Sequence, residues 1–242
     1  MLSCVMTNQF GNYLCQRIIE IADIHTLSLI AHSISQHLVS LSVDLHGTRV
    51  VQALIEKLAA TIKQENMRAY EERCDVAHQS LNLIIQSLNT SVFELIMDMN
   101  GNHVIQTFLM VFKASNHPAA DDLPGSELTS QYTEFIFEAC MRKPVDLGVH
   151  KHGCCVMQRC LEMGCKKQKL ALSNHIIENI DYLIEDAYGN YLVQNVIKLE
   201  DQERNDRILR QIAKDFIRLS QLKFSSNVIE KCLDSKRNRK ID

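Results

Sequence analysis

Six triplets of side chains recur along the 242-residue chain in one fixed frame: Asn12/Tyr13/Gln16, Thr48/Arg49/Gln52, Asn102/His103/Gln106, Cys154/Cys155/Gln158, Asn190/Tyr191/Gln194 and Ser226/Asn227/Glu230. The middle member is an aromatic ring or a guanidinium at Tyr13, Arg49, His103 and Tyr191. Such flat groups stack on the faces of unpaired bases, a contact worth about 1–3 kcal/mol per base. The last member is a glutamine in every triplet but the sixth, where Glu230 stands. An amide both donates and accepts, so Gln beside Asn suits the mixed edge of uracil. Gln beside the smaller Thr48 or Cys154 leaves room for the adenine ring, and Glu230, which only accepts, matches the adjacent donors of guanine. The chemistry these residues can do is recognition of single-stranded bases.

The frame that carries the triplets is a repeat. The segments FGNYLCQRIIE (10–20), HGTRVVQALIE (46–56), NGNHVIQTFLM (100–110), HGCCVMQRCLE (152–162) and YGNYLVQNVIK (188–198) share it, and FSSNVIEKCLD (224–234) has serine in the glycine's place. Three apolar columns run through them: Leu14, Val50, Val104, Val156, Leu192, Val228; Ile19, Ile55, Leu109, Leu161, Ile197, Leu233; and upstream Val5, Leu41, Leu95, Leu147, Leu183, Leu219. Asn12 to Thr48, Cys154 to Asn190 and Asn190 to Ser226 are each 36 residues apart, and the two middle steps are 54 and 52. A period in this range signals stacked units that bury their apolar faces against one another. With 8 glycines and 3 prolines in the whole chain, those units must be helical. The excess of the first long step falls near Ile62–Ser80, where the polar run KQENMRAYEER predicts an extended helix. That of the second falls near Ala114–Gln131, which holds two of the three prolines and reads as a surface loop. The glycine is read as the turn before a helix. At about 100° per residue, the third, fourth and seventh positions lie near 0°, 100° and 40°, which predicts that all three leave one side of that helix.

Composition narrows the rest. Apolar residues are 46% and charged residues 23%, a folded rather than disordered balance. No run approaches the roughly 18 apolar residues of a membrane span, and the N-terminus lacks the features of a secretory signal. Nine cysteines in such a chain read as reduced thiols. His150, His152, Cys154, Cys155, Cys160 and Cys165 crowd one region, yet no CxxC pair appears and Cys160 falls in an apolar position, so thiols rather than metal ligands are expected. No phosphate-cradling loop, metalloprotease motif or nucleophile–base pairing is visible, so neither an enzyme nor a cofactor is expected. The formal net charge of −3 gives no global pull on nucleic acid, and the residues after the reading position include Arg17, Arg159 and Lys231 but are followed by Glu20, Glu162 and Asp234. Affinity should therefore rest on stacking more than on phosphate attraction. The basic tail KRNRK (236–240) reads as a solvated link, the rival reading being a nuclear signal.

On these segments and the order of their triplets, the chain resembles the Pumilio/PUF family from Met1 to about Asp234. Repeats of this family read one base each with two or three side chains. The resemblance implies an all-α fold, an α–α superhelix built as a right-handed crescent solenoid of three-helix repeats. Residues 1–242 would form a single repeat domain of about six repeats, resembling numbers two to seven of eight and so a fragment of the full set, with inserts near 62–80 and 114–131. Family rules run the RNA antiparallel to the protein. They assign the Ser226 triplet to G, the Asn190 triplet to U, the Cys154 triplet to A, the Asn102 triplet to U, the Thr48 triplet to A and the Asn12 triplet to U, giving 5′-GUAUAU-3′ within a UGUA-type element. Cys155 departs from the family's arginine or aromatic stacking residue, whereas Asn227 is common in its guanine-reading repeat. The implied partners are single-stranded RNA in messenger 3′-untranslated regions and, on the convex face, repression or deadenylation machinery. The implied setting is a cytoplasmic monomer without membrane contact. The alternatives are a protein-binding scaffold of the armadillo or HEAT kind and a nucleolar PUF-like ribosome-biogenesis factor.

Overall fold

The structure is a computed structural model that describes residues 1–65, 71–113 and 126–238. Among the described residues there is no strand. Helices come in threes: α1 (Leu2–Met6), α2 (Gly11–Ile21) and α3 (Ile24–Ile34); α4 (Leu38–Val43), α5 (Gly47–Glu65) and α6 (Glu71–Asn89); α7 (Val92–Met97), α8 (Gly101–Val111) and α9 (Ser126–Arg142). Then come α10 (Pro144–Gly148), α11 (Lys151–Met163) and α12 (Lys166–Glu178); α13 (Ile180–Leu183), α14 (Gly189–Lys198) and α15 (Gln202–Ala213); and finally α16 (Phe216–Ser220) and α17 (Ser225–Asn238). The chain divides into two compact units, Met1–Ile136 and Phe137–Asp242. In the first, α2, α5 and α8 pack side by side with α3 and α6 as a second layer; in the second, α11, α14 and α17 do so with α12 and α15 behind them. No described helix is long and apolar enough to cross a membrane.

The three apolar columns form the core. Val50, Val104, Val156, Leu192 and Val228 are fully buried, as are Leu41, Leu95, Leu147 and Leu183. The exceptions are Val5 and Leu14 in the first repeat and Leu233 in the last, which are exposed.

The junction between the first and second helix of each repeat recurs with little change. Asp44 Oδ1 accepts from the backbone N–H of His46 (2.9 Å) and Gly47 (2.7 Å), and Asp98 and Asp186 do the same for their turns, as does Asn8. This satisfies donors that the start of a helix leaves without partners. The fourth repeat has His150 in that place; its Nδ1 accepts from Gly153 N at 3.3 Å, and α11 begins two residues before the glycine. Elsewhere the glycine is the first helical residue rather than a turn residue, and its value is close approach. A Cβ at Gly47 would lie 2.7 Å from the carbonyl oxygen of Leu41, and one at Gly153 would lie 2.4 Å from that of Leu147. The sixth repeat replaces the glycine with Ser225, fully buried, whose hydroxyl donates to the equivalent carbonyl of Leu219 at 2.7 Å.

The two long steps are taken up differently from each other. Helices α5 and α6 are 19 residues each, against 11 for α2 and α8, so the first excess lengthens a helical pair as the polar run predicts; residues 66–70 lie outside the described residues. The second differs from the expected loop, because 126–131 begin α9. Beyond Gly125 no glycine or proline interrupts the helical pattern, while 114–125 lie outside the described residues. Of the basic tail, 236–238 continue α17 and 239–240 lie outside.

A polar chain lies where α6 meets α9. His78 Nε2 is 3.1 Å from Cys74 Sγ, and its Nδ1 bonds to the hydroxyl of Tyr132, a residue 1% exposed. Burial pushes the Tyr132 phenol up to about 12 and holds His78 below its usual value. The fold thus prefers neutral His78, whereas the unfolded chain takes up that proton below about pH 6.5. This contribution is complete above pH 6.5 and is lost as pH falls below it. The urea midpoint should drop between pH 7.5 and 5.5, and by less in His78→Gln. A separate urea series tests the junction: Gly47→Ala should cost about 1–3 kcal/mol by overpacking. Ser225→Ala should cost about 0.5–1.5 kcal/mol, the worth of one hydrogen bond, because the Leu219 carbonyl keeps only its long bond from Leu222 N at 3.4 Å.

Candidate nucleic-acid interface

Every triplet sits at the start of the second helix of its repeat, so the junction fixes its position. The first unit carries Asn12/Tyr13/Gln16 on α2, Thr48/Arg49/Gln52 on α5 and Asn102/His103/Gln106 on α8. The second carries Cys154/Cys155/Gln158 on α11, Asn190/Tyr191/Gln194 on α14 and Ser226/Asn227/Glu230 on α17. The fourth-position side chains are all exposed, Tyr13 at 70% and Tyr191 at 51%, with Arg49, His103, Cys155 and Asn227 alike. The glutamines are half-buried and Glu230 is exposed.

The third position departs from the expected common outward face. Asn12, Thr48, Asn102, Cys154 and Asn190 are buried, at 3% exposure or less. Helical azimuth counts only a residue's own helix; in the stacked fold the turn of the next repeat covers this edge, with Asn100 over Thr48 and Tyr188 over Cys154. Ser226 alone is half-buried.

Burial gives these residues a definite role toward the glutamine four positions on. Asn102 Nδ2 donates to the carbonyls of Asp98 and Met99, both at 2.8 Å. Carbonyls only accept, so this fixes the amide with Oδ1 turned to Gln106, whose Nε2 donates to it at 2.7 Å. Asn190 holds Gln194 in the same way at 2.9 Å, and Asn12 holds Gln16 at 3.0 Å. Thr48 and Cys154 use a different anchor. The Thr48 hydroxyl donates to Asn100 O (3.2 Å) and accepts from Gln52 Nε2 (3.1 Å); the Cys154 thiol donates to Tyr188 O (3.1 Å) and accepts from Gln158 Nε2 (3.0 Å). Burial pushes the Cys154 thiol up to about 11, so it keeps the proton it donates. In every case the glutamine's Nε2 is the donor held by the residue four positions earlier; at Gln52 the Oε1 is also approached, by the Thr107 hydroxyl at 3.5 Å. Glu230 has no such clamp, because the Ser226 hydroxyl donates to Lys223 O at 3.3 Å.

Between α14 and α17 an open polar cleft of about 350 Å³ is lined by Tyr191, Gln194, Asn227, Glu230, Lys231 and Asp234. That is the low end of small-molecule sites, roughly 300–1,000 Å³. Two of the cations following the seventh position are tied to acids one turn on, Arg17 to Glu20 (2.5 Å) and Arg159 to Glu162 (3.1 Å), while Lys231 lines the cleft and Arg49 is exposed on the ladder itself. The sequence reading missed the residues that hold the triplets. The Asn8, Asp44, Asp98, Asp186 column, three before each glycine, was visible in the sequence as a capping signal. The anchoring role of Asn100 had no such signal, since no other segment has an amide at its first position.

Comparison with known proteins agrees with this architecture. The family model for the Pumilio-family RNA binding repeat matches residues 145–177, 179–213 and 216–235, and that for the NOP9-like PUF repeat domain matches 3–134. Pumilio homolog 12 of Arabidopsis thaliana is 34% identical over 235 residues, covering 96% of this chain and 34% of that protein. A Pumilio domain-containing protein of Schizosaccharomyces pombe is 33% identical over 232 residues, covering 96% and 29%. The chain therefore spans about a third of the length of these curated relatives. Among solved structures, the Puf4 RNA binding domain bound to the HO endonuclease RNA 3′ UTR recognition sequence superposes with a TM-score of 0.77 at 32% identity, covering 97% of this chain and 64% of that one. The RNA-binding domain of yeast Puf5p bound to MFA2 RNA gives 0.76 at 27% identity, covering 97% and 57%. With family matches in both halves and the helical repeats to go with them, the chain belongs to the Pumilio/PUF family of repeat proteins.

Proposed function

We propose that this chain binds single-stranded RNA by sequence, one base per repeat, and acts on messenger RNAs through UGUA-type elements of their 3′-untranslated regions. The observation that carries the reading is the ladder of glutamines whose amides are oriented by the residue four positions earlier, each beside an exposed fourth-position side chain. An amide fixed before the ligand arrives loses little freedom on binding, which favours affinity and discrimination together. The proposed core is 5′-GUAUAU-3′, read from Glu230 back to Gln16. Arg49 and the aromatic residues stack on the bases, and Cys155 is the weakest wedge. The chain is a binding protein rather than a catalyst, and on the family pattern it is a cytoplasmic monomer that brings repression or deadenylation machinery to its message.

The NOP9-like match over residues 3–134 favours a second reading, a PUF-like ribosome-biogenesis factor that does not depend on an ordered code. Against it, Gln16, Gln52 and Gln106 within that stretch are all clamped.

Fluorescence anisotropy at fixed salt decides between them. RNA containing UGUAUAUA should bind roughly a hundredfold more tightly than one in which UGU becomes ACA, since each mismatched base forfeits its stacking and edge contacts, about 1–3 kcal/mol apiece. Equal binding of the two sinks the sequence-reading proposal. Within the specific complex, Glu230→Gln should abolish the preference for G at the first core position and leave the other positions unchanged. Tyr191→Ala should weaken binding by about 1–3 kcal/mol if stacking carries that base.

A further inference from the structure

A glutamine can read a base edge only if its amide points one way, and the repeats achieve this in two ways. On α2, α8 and α14 the orienting asparagine is tied to carbonyls of its own turn, so the whole clamp lies within one repeat. On α5 only part of the clamp is internal: Gln52 Nε2 donates to the Thr48 carbonyl of its own helix at 3.2 Å and to the Thr48 hydroxyl at 3.1 Å, and that hydroxyl is anchored outside the repeat. Thr48 donates to the carbonyl of Asn100, in the turn before α8. That turn is fastened back to the second repeat by Asn100 itself, whose Nδ2 donates to the carbonyl of Val43, the last residue of α4, at 2.8 Å. Asn100 thus takes one hydrogen bond from the second repeat and gives one to it. From the same side, the Thr107 hydroxyl of α8 lies 3.5 Å from Gln52 Oε1 while bonding to His103 O at 2.9 Å.

We infer that Asn100 is a positioning residue for the reading head at Gln52, acting through Val43 O and Thr48 to set the direction of the Gln52 amide. The first positions of the other segments are Phe10, His46, His152, Tyr188 and Phe224, none of which carries an amide that could form the second bond. Without that bond the turn still accepts from Thr48 but is no longer held at one distance from it. The bridge Gln52 Nε2–Thr48 Oγ1–Asn100 O then loosens at its far end. Gln52 then keeps its bond to the Thr48 carbonyl but loses the fixed hydroxyl that narrows its direction, whereas Gln106 and Gln194, clamped inside their own repeats, are unaffected. The assignment of this reading head to a base rests on the RNA-reading function proposed above.

Two measurements test it separately. In ¹⁵N-labelled protein without RNA, Asn100→Ala should shift and broaden the side-chain amide signals of Gln52 and leave those of Gln194 in place. Asn100→Asp keeps the size but sets a carboxylate oxygen against the Val43 carbonyl, so it should behave like the alanine variant. In anisotropy, both variants should lose roughly fivefold of the preference for A over U at the fifth core position, the loss expected of one neutral hydrogen bond. They should keep the preference for U at the second. An unmoved Gln52 amide, an Asn100→Asp protein that behaves as wild type, or an equal loss of preference at every position overturns the inference. A Gln52 amide that moves in a protein whose wild type discriminates no bases upholds the positioning and overturns the RNA reading instead.

Discussion

Everything on the candidate interface is measured from one close contact, the approach of the second helix of each repeat to a carbonyl near the C-terminal end of the first. At Gly47 that oxygen belongs to Leu41 and at Gly153 to Leu147, each at a separation that a methyl group could not share. The contact sets the first residue of the helix, and the third, fourth and seventh positions follow from it by helical geometry. The capping aspartates fix the same turn from the other side. Ser225 reaches the same place by other means, since its hydroxyl turns a repulsive neighbour into an acceptor. The exposed side chains of the triplets thus depend for their placement on a contact buried beneath them.

The fold was largely legible in the sequence because its apolar columns are periodic and periodicity is what packing reads. Val104, Val156 and Leu192 are buried as their alignment predicts. The triplets were found by the same alignment, and the exposure of Tyr13, His103 and Tyr191 agrees with it. What the sequence could not show is what the neighbouring repeat covers. Asn12, Thr48 and Cys154 were placed on an outward face by an azimuth that considers one helix alone. At Thr48 and Cys154 the turn of the following repeat contributes to that burial, and the anchoring by Asn100 is a contact 52 residues away from Thr48. The loop expected through residue 131 failed at its C-terminal end for a simpler reason, because proline content was extended past the last proline into a run able to form α9.

The electrostatics divide labour between neutral and charged groups. The glutamines and their clamps are uncharged at neutral pH, the Cys154 thiol included, so their geometry does not depend on salt or on pH in that range. Arg17 and Arg159 are partly neutralised along their own helices. If the ladder binds RNA as proposed, it gains little from long-range attraction and much from shape and hydrogen-bond direction. Glu230 is the exception on both counts, an exposed acidic side chain without such a clamp.

The two forms of clamp also bear on how such proteins can be recombined. Repeats that hold their own glutamine, with Asn12, Asn102 or Asn190, carry their reading geometry with them when moved. Those built on Thr48 or Cys154 borrow a carbonyl from the repeat that follows. Their smallest transplantable piece is therefore a repeat together with the turn of its successor, and gene duplication or repeat shuffling that cuts between the two separates a reading residue from its support.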